Sequence, residues 1–108
     1  MIELRTNDEA TIRRRSLDRV RRIVDEVLED RGARVYLFGS CARGDWRHGS
    51  DIDLAVDPVE ALPAGIFARI NQALEESTVP YFVDVVDMAG ISPAFADRIR
   101  TEGILWRS

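Results

Sequence analysis

The chain reads as an α/β protein, a small mixed β-sheet packed with helices, and three observations lead there. Apolar runs of strand length, rich in β-branched and aromatic residues, occur at Val35–Phe38, Ile52–Val56 and Tyr81–Val86. Between and around them lie segments whose apolar residues recur at helical spacing. The two kinds of segment alternate along 108 residues, a length that suits one domain with a modest core.

Taken in order, a polar tail runs through about Ala10, and the spacing of Leu17, Val20, Val24, Val27 and Leu28 predicts a helix over 11–31. Strand 34–38 follows and stops at Gly39-Ser40, so a turn or short helix is expected at 40–44. Strand 51–57 comes next, with Pro58 ending it. Ile66, Ile70, Ala73 and Leu74 form the stripe of a helix over 62–77, before a strand over 80–87. Pro93 suits the first turn of a last helix that closes near Gly103, with Ile104-Leu105-Trp106 as its tail. Residues 1–108 thus form a single domain with no repeat and no low-complexity stretch.

The chemistry concentrates between residues 39 and 54. Gly39 lets the backbone approach a ligand, Ser40 offers a hydroxyl and the amides of the turn, and Arg43 adds a planar cation suited to phosphate oxygens. Asp51 and Asp53 then share one face of the next strand, while Ile52, Leu54 and Val56 fill the other. Carboxylates about 7 Å apart repel by about 2.4 kcal/mol at an effective dielectric near 20. A divalent cation turns that repulsion into coordination, and hard oxygen ligands beside phosphate favour Mg²⁺ or Mn²⁺. Asp84 is an acid inside an apolar strand, and its parity sets it with Phe82 and Val86, able to join the Asp51 and Asp53 face. Three such acids can hold two ions that clamp an in-line phosphoryl displacement. Asp87, of opposite parity, reads as a solvated or turn-forming acid.

Each piece alone has a plainer meaning: Gly-Ser is a common turn, Asp-x-Asp occurs on half-exposed sheets, and a lone Arg43 is a surface charge. Their conjunction resembles the DNA polymerase β nucleotidyltransferase superfamily and, within it, the minimal nucleotidyltransferase group. The resemblance rests on Gly39, Ser40, Ala42, Arg43 and Gly44, then Asp51 and Asp53, then Asp84, and extends from about Leu17 to the C-terminus. Cys41 occupies a variable position, and no catalytic position is substituted. The resemblance implies the polymerase β-like palm fold and ATP as nucleotide donor. It implies Gly39, Ser40 and Arg43 as the donor-phosphate site, and Asp51, Asp53 and Asp84 as catalytic metal ligands for two Mg²⁺ ions. For a chain this short it further implies an antitoxin that adenylylates a tyrosine of a cognate HEPN ribonuclease toxin and can form a hetero-oligomer with it. Transfer to a small molecule or RNA gripped by a separate subunit, and neutralisation of a partner by binding alone, are the alternatives.

A net charge of −4 argues against a broad nucleic-acid footprint. The arginines of the first helix, Arg13, Arg14, Arg15, Arg19, Arg21 and Arg22, read as a solvated face with acids at intrahelical pairing distance. No apolar run has the length of a membrane span or the pattern of a signal peptide, and the expected compartment is the cytoplasm. The single cysteine excludes an internal disulfide. His48 reads as a plain loop histidine, and Trp46 reads equally as a base-stacking or a sheet-packing ring. Trp106 reads as a core or partner anchor. A reactive Cys41 would need a lowered thiol pKa.

Overall fold

Asp8 sets the start of the first helix: its carboxylate accepts a hydrogen bond from the Thr11 N–H at 2.8 Å, and α1 (Glu9–Leu28) begins at once. In the computed structural model, which describes residues 8–46 and 50–108, α1 therefore starts inside the stretch expected to be tail. It also stops short of residue 31, because Glu29 adopts φ 56° and turns the chain out of the helix.

Next come β1 (Ala33–Phe38), the one-turn helix α2 (Ser40–Arg43) and β2 (Ile52–Pro58). Helix α3 (Ile66–Glu75) starts later than the expected residue 62, behind Pro63 and a Gly65 at φ 82°. Strand β3 (Val83–Asp87) likewise starts after Pro80, which has no N–H to donate to a ladder. A 3₁₀ turn at Met88–Gly90 follows, whose Ala89 N–H is capped by Asp87, so Asp87 is the turn-forming acid expected. Pro93 opens α4 (Pro93–Glu102), with the Ser92 hydroxyl accepting from the Phe95 N–H at 3.2 Å.

The segment expected to be the tail of α4 is instead a strand, β4 (Ile104–Arg107). Gly103 ends the helix in a space too tight for a side chain: a Cβ there would lie 2.6 Å from the Ile99 carbonyl oxygen and 3.1 Å from that of Leu37. The chain beyond it meets the open edge of β1, pairing Leu105 with Tyr36 and Ile104 with Leu37. The Arg107 guanidinium then donates to the carbonyls of Ala33 at 3.2 Å, Arg31 at 2.9 Å and Glu29, and pairs with Asp25 at 3.4 Å. Those contacts anchor the new strand to the α1–β1 turn.

The sheet has the order β3-β2-β1-β4. β1 is antiparallel to β2 and to β4, whereas β2 and β3 run parallel, joined by the α3 crossover. One face carries Val35, Leu37, Ile52, Leu54 and Val56, packed on Val20, Val24 and Leu28 of α1 and Ile66, Ile70 and Leu74 of α3. The opposite face carries Tyr36 and Ala55, covered by Met88 and by Ala96 and Ile99 of α4. The expected stripes of both long helices are thus the buried ones.

Candidate active site

The strand directions bring the chemistry to one end of the sheet. Because β1 is antiparallel to β2 and β2 is parallel to β3, the end of β1 lies beside the beginnings of both other strands. Phe38, Asp53 and Asp84 form a single row across three strands, Phe38 opposite Asp53 and Asp53 opposite Asp84. Neighbours in such a row project from the same face. Here it is the face that also bears α4. Asp51, exposed just before β2, has the parity of Asp53.

At the end of that row, Gly39 departs from β1 with φ 76° and ψ −156°. A Cβ on Gly39 would collide with Oδ2 of Asp53 and sit 3.3 Å from its Cγ, so only glycine brings the phosphate-cradle turn this close to the acid. The turn is held by Ala42 and Arg43 N–H groups donating to the Gly39 carbonyl, both at 3.2 Å. Gly44 then adopts a left-handed conformation and lets the chain leave.

The electrostatics record what the row lacks. Burial of Asp53 pushes its carboxyl above the usual carboxylate range, the nearby Asp84 and Asp51 push it further, and Arg43 pulls it partly back. An acid whose charge is disfavoured by two acidic neighbours, with Arg43 opposing them, suits a hard divalent cation. As their side chains stand, no three acid, thiol or imidazole groups among the described residues close into a cage. The fit is therefore one of donor chemistry and shared face.

A cleft of about 220 Å³ adjoins the Gly39 turn, lined by Phe38, Arg43, Phe95, Arg98, Ile99 and Glu102 as well as Gly39 itself. The Phe38 and Phe95 rings meet edge to face, 5.9 Å apart. Two guanidiniums and two aromatic rings beside a glycine turn can receive a nucleoside and its phosphates. Arg98 and Phe95 come from α4, far along the chain, and nothing in their local sequence distinguishes them from ordinary helix residues.

The family model described as polymerase beta, nucleotidyltransferase matches residues 24–107, which include every one of these groups. The chain belongs to the polymerase β nucleotidyltransferase family. It is 35% identical over 81 residues to the probable protein adenylyltransferase MntA of Haemophilus influenzae, which spans 75% of this chain and 69% of that relative. A solved minimal nucleotidyltransferase superposes with a TM-score of 0.66 at 34% identity, covering 83% of this chain and 92% of the other. A toxin–antitoxin complex solved with AMP-PNP gives a TM-score of 0.62 at 28% identity, covering 80% and 71%. The chain is thus a nucleotidyltransferase with the mixed-sheet fold expected of it, and a nucleotide and a divalent metal are the general requirements of its chemistry.

Around this nucleotidyltransferase site the remaining candidates find plain roles. Trp46 packs toward the α1 face of the sheet, its ring 4.8 Å from Tyr81 and beneath the Arg13 guanidinium at 5.5 Å. The sheet-packing alternative is the one realised. Arg13 is accordingly less solvated than the helix pattern suggests, and it also pairs with Glu9. Trp106 packs on the main core with Arg21 over its ring at 5.8 Å. His48 lies outside the described residues. No described helix is long and apolar enough to cross a membrane.

Cys41 donates its S–H to the Asp51 carbonyl at 3.2 Å, and its pKa is pushed up to about 11, first by burial and then by the Asp53 charge. The thiol is the nucleophile's resting, unreactive form. Alkylation by iodoacetamide at pH 8 is expected to run at least about tenfold slower in the native protein than in the urea-unfolded chain. Equal rates, followed by mass spectrometry, would contradict the burial of this group.

Proposed function

We propose that this nucleotidyltransferase moves AMP from ATP to a tyrosine hydroxyl of a HEPN-type ribonuclease toxin, acting as the antitoxin of the pair. The observation that carries the proposal is the Phe38–Asp53–Asp84 row with the Gly39 turn at its end, two carboxylates on one face beside a glycine turn, with Asp51 sharing their parity. The likeness to MntA and to a toxin–antitoxin complex solved with AMP-PNP supports the donor and the kind of acceptor.

In this mechanism the Gly39 backbone, the Ser40 hydroxyl and Arg43 hold the β- and γ-phosphates. Asp51, Asp53 and Asp84 are the residues that would hold two Mg²⁺ ions. Bound there, such ions would supply neutralisation of phosphate charge. Asp84 also faces the acceptor hydroxyl and can receive its proton. Arg43 lies beside the departing pyrophosphate, where negative charge grows. The protein thus contributes position and charge. Residues 1–108 act as one nucleotidyltransferase domain in the cytoplasm, and the second substrate brings its own surface.

Coexpression with the product of the adjacent reading frame, followed by intact mass measurement of that product, tests the proposal. Mass steps of adenylate size are expected, and they should vanish with Asp51→Asn. A partner that stays unmodified yet is still inhibited by Asp51→Asn would replace enzymatic modification with neutralisation by binding.

A further inference from the structure

An in-line transfer fixes where the acceptor must stand. The attacking oxygen approaches the α-phosphorus from the side opposite the leaving pyrophosphate. With the phosphates at the Gly39 turn, at the β1 end of the row, the line runs across Asp53 to Asp84 and out over β3. Among the described residues β3 is the outermost strand on that side of the sheet and pairs with β2 alone. Its free edge can accept an extended segment.

Two residues before Asp84, and so on the same face by strand parity, stands Phe82. It is 68% exposed, more than any other large hydrophobic side chain among the described residues. Its backbone is nevertheless fixed, since its carbonyl accepts from the Ile52 N–H at 2.9 Å, immediately beside Asp51. A groove of about 400 Å³ runs along this edge between α3 and β3, lined by polar Asn71, Glu75, Ser77 and Asp84 together with Tyr81 and Phe82. Among the described residues no lysine or arginine lines it.

We propose that Phe82 and this groove are the acceptor platform, taking an extended segment of the partner protein that presents a tyrosine between basic residues. Phe82 stacks the tyrosine ring, the free edge of β3 receives the segment's backbone, and Glu75 attracts its cations. The stacked ring's hydroxyl lies toward Asp84. Its oxygen bonds to the α-phosphorus of ATP while the bond from that phosphorus to the bridging oxygen breaks. The electron pair leaves with pyrophosphate, and the hydroxyl proton passes to the Asp84 carboxylate. The platform rests on the AMP-transfer proposal above and adds to it the docking site and the chemistry of the segment that fits.

The test is steady-state AMP transfer to the purified product of the adjacent reading frame, with Phe82→Ala, Phe82→Trp and Glu75→Lys compared with Val59→Ala. Val59 is also exposed and apolar but follows β2 at the far end of the sheet. Phe82→Ala is expected to raise KM for the partner about tenfold or more with KM for ATP unchanged. Phe82→Trp should restore it, Glu75→Lys should raise it, and Val59→Ala should leave it alone. Partner KM within twofold of wild type in both Phe82→Ala and Glu75→Lys overturns the platform while leaving the transfer reaction standing. A wild-type chain that modifies no partner overturns both. Thermal melting keeps a folding defect distinguishable, since an exposed ring should leave Tm within a degree or two.

Discussion

Asp53→Asn is expected to lower AMP transfer on the order of a thousandfold or more and, at the same time, to raise the melting temperature of the metal-free protein. The two effects have one cause. Burial, then Asp84, then Asp51 disfavour the charged form of this carboxyl, so its raised pKa marks a group whose ionisation costs folding energy. That cost is absent below the ordinary carboxylate range, where the group is protonated in both states. It grows as pH rises through the unfolded value toward the raised one, and is fully present once pH lies above the raised one. Asparagine keeps the volume and removes the charge. The gain in stability is therefore expected above the raised value and should disappear near pH 3, where the group is protonated in both states. Melting curves at pH 7 and near pH 3, with and without Mg²⁺, check the sign. Wild-type transfer by this variant would remove Asp53 from the chemistry, and a lower Tm at pH 7 would contradict the electrostatic account.

Gly39→Ala should be nearly as damaging by a different route. At φ 76° and ψ −156° the backbone lies in a region that is nearly glycine-only, which costs an alanine on the order of 1–3 kcal/mol, and the new methyl would also collide with Oδ2 of Asp53. Relief requires the acid to turn aside or the cradle to move, and either change separates phosphates from carboxylates. A loss of transfer on the order of a hundredfold is expected. Gly65→Ala is the control, with φ 82° and nothing within 4 Å of its would-be Cβ. It should lose about 1 kcal/mol of stability, less than Gly39→Ala, and keep its activity. If Gly39→Ala transfers AMP as Gly65→Ala does, close approach to Asp53 is not what the position is for.

The grouping of the candidate site's residues was legible in the sequence because its parts are local. Gly39, Ser40, Arg43, Asp51 and Asp53 lie within one short stretch, and strand parity alone put Asp84 on their face. The row that joins Phe38 to Asp53 and Asp84 depends on which strands pair and in which direction, which no local pattern carries. The same limit hid the cleft under α4, whose Phe95 and Arg98 meet Phe38 and Arg43 only through the packing of that helix on the sheet. Strand β4 was missed for a related reason. Ile-Leu-Trp suits a helix end as well as a short strand, and the deciding partner is the open edge of β1, with Arg107 as the anchor. Helix boundaries moved where a single residue intervened, at Asp8, Glu29 and Gly65.

The parallel pairing of β2 with β3 also sets an order of events as the chain folds. β1, α2 and β2 are consecutive and can close as a local antiparallel unit, which already contains the Gly39 cradle, Arg43, Asp51 and Asp53. Asp84 arrives only after α3 has formed and carried the chain across the sheet, a longer and slower closure. The row that joins Asp53 to Asp84 is therefore complete only when the parallel ladder of β2 with β3 is.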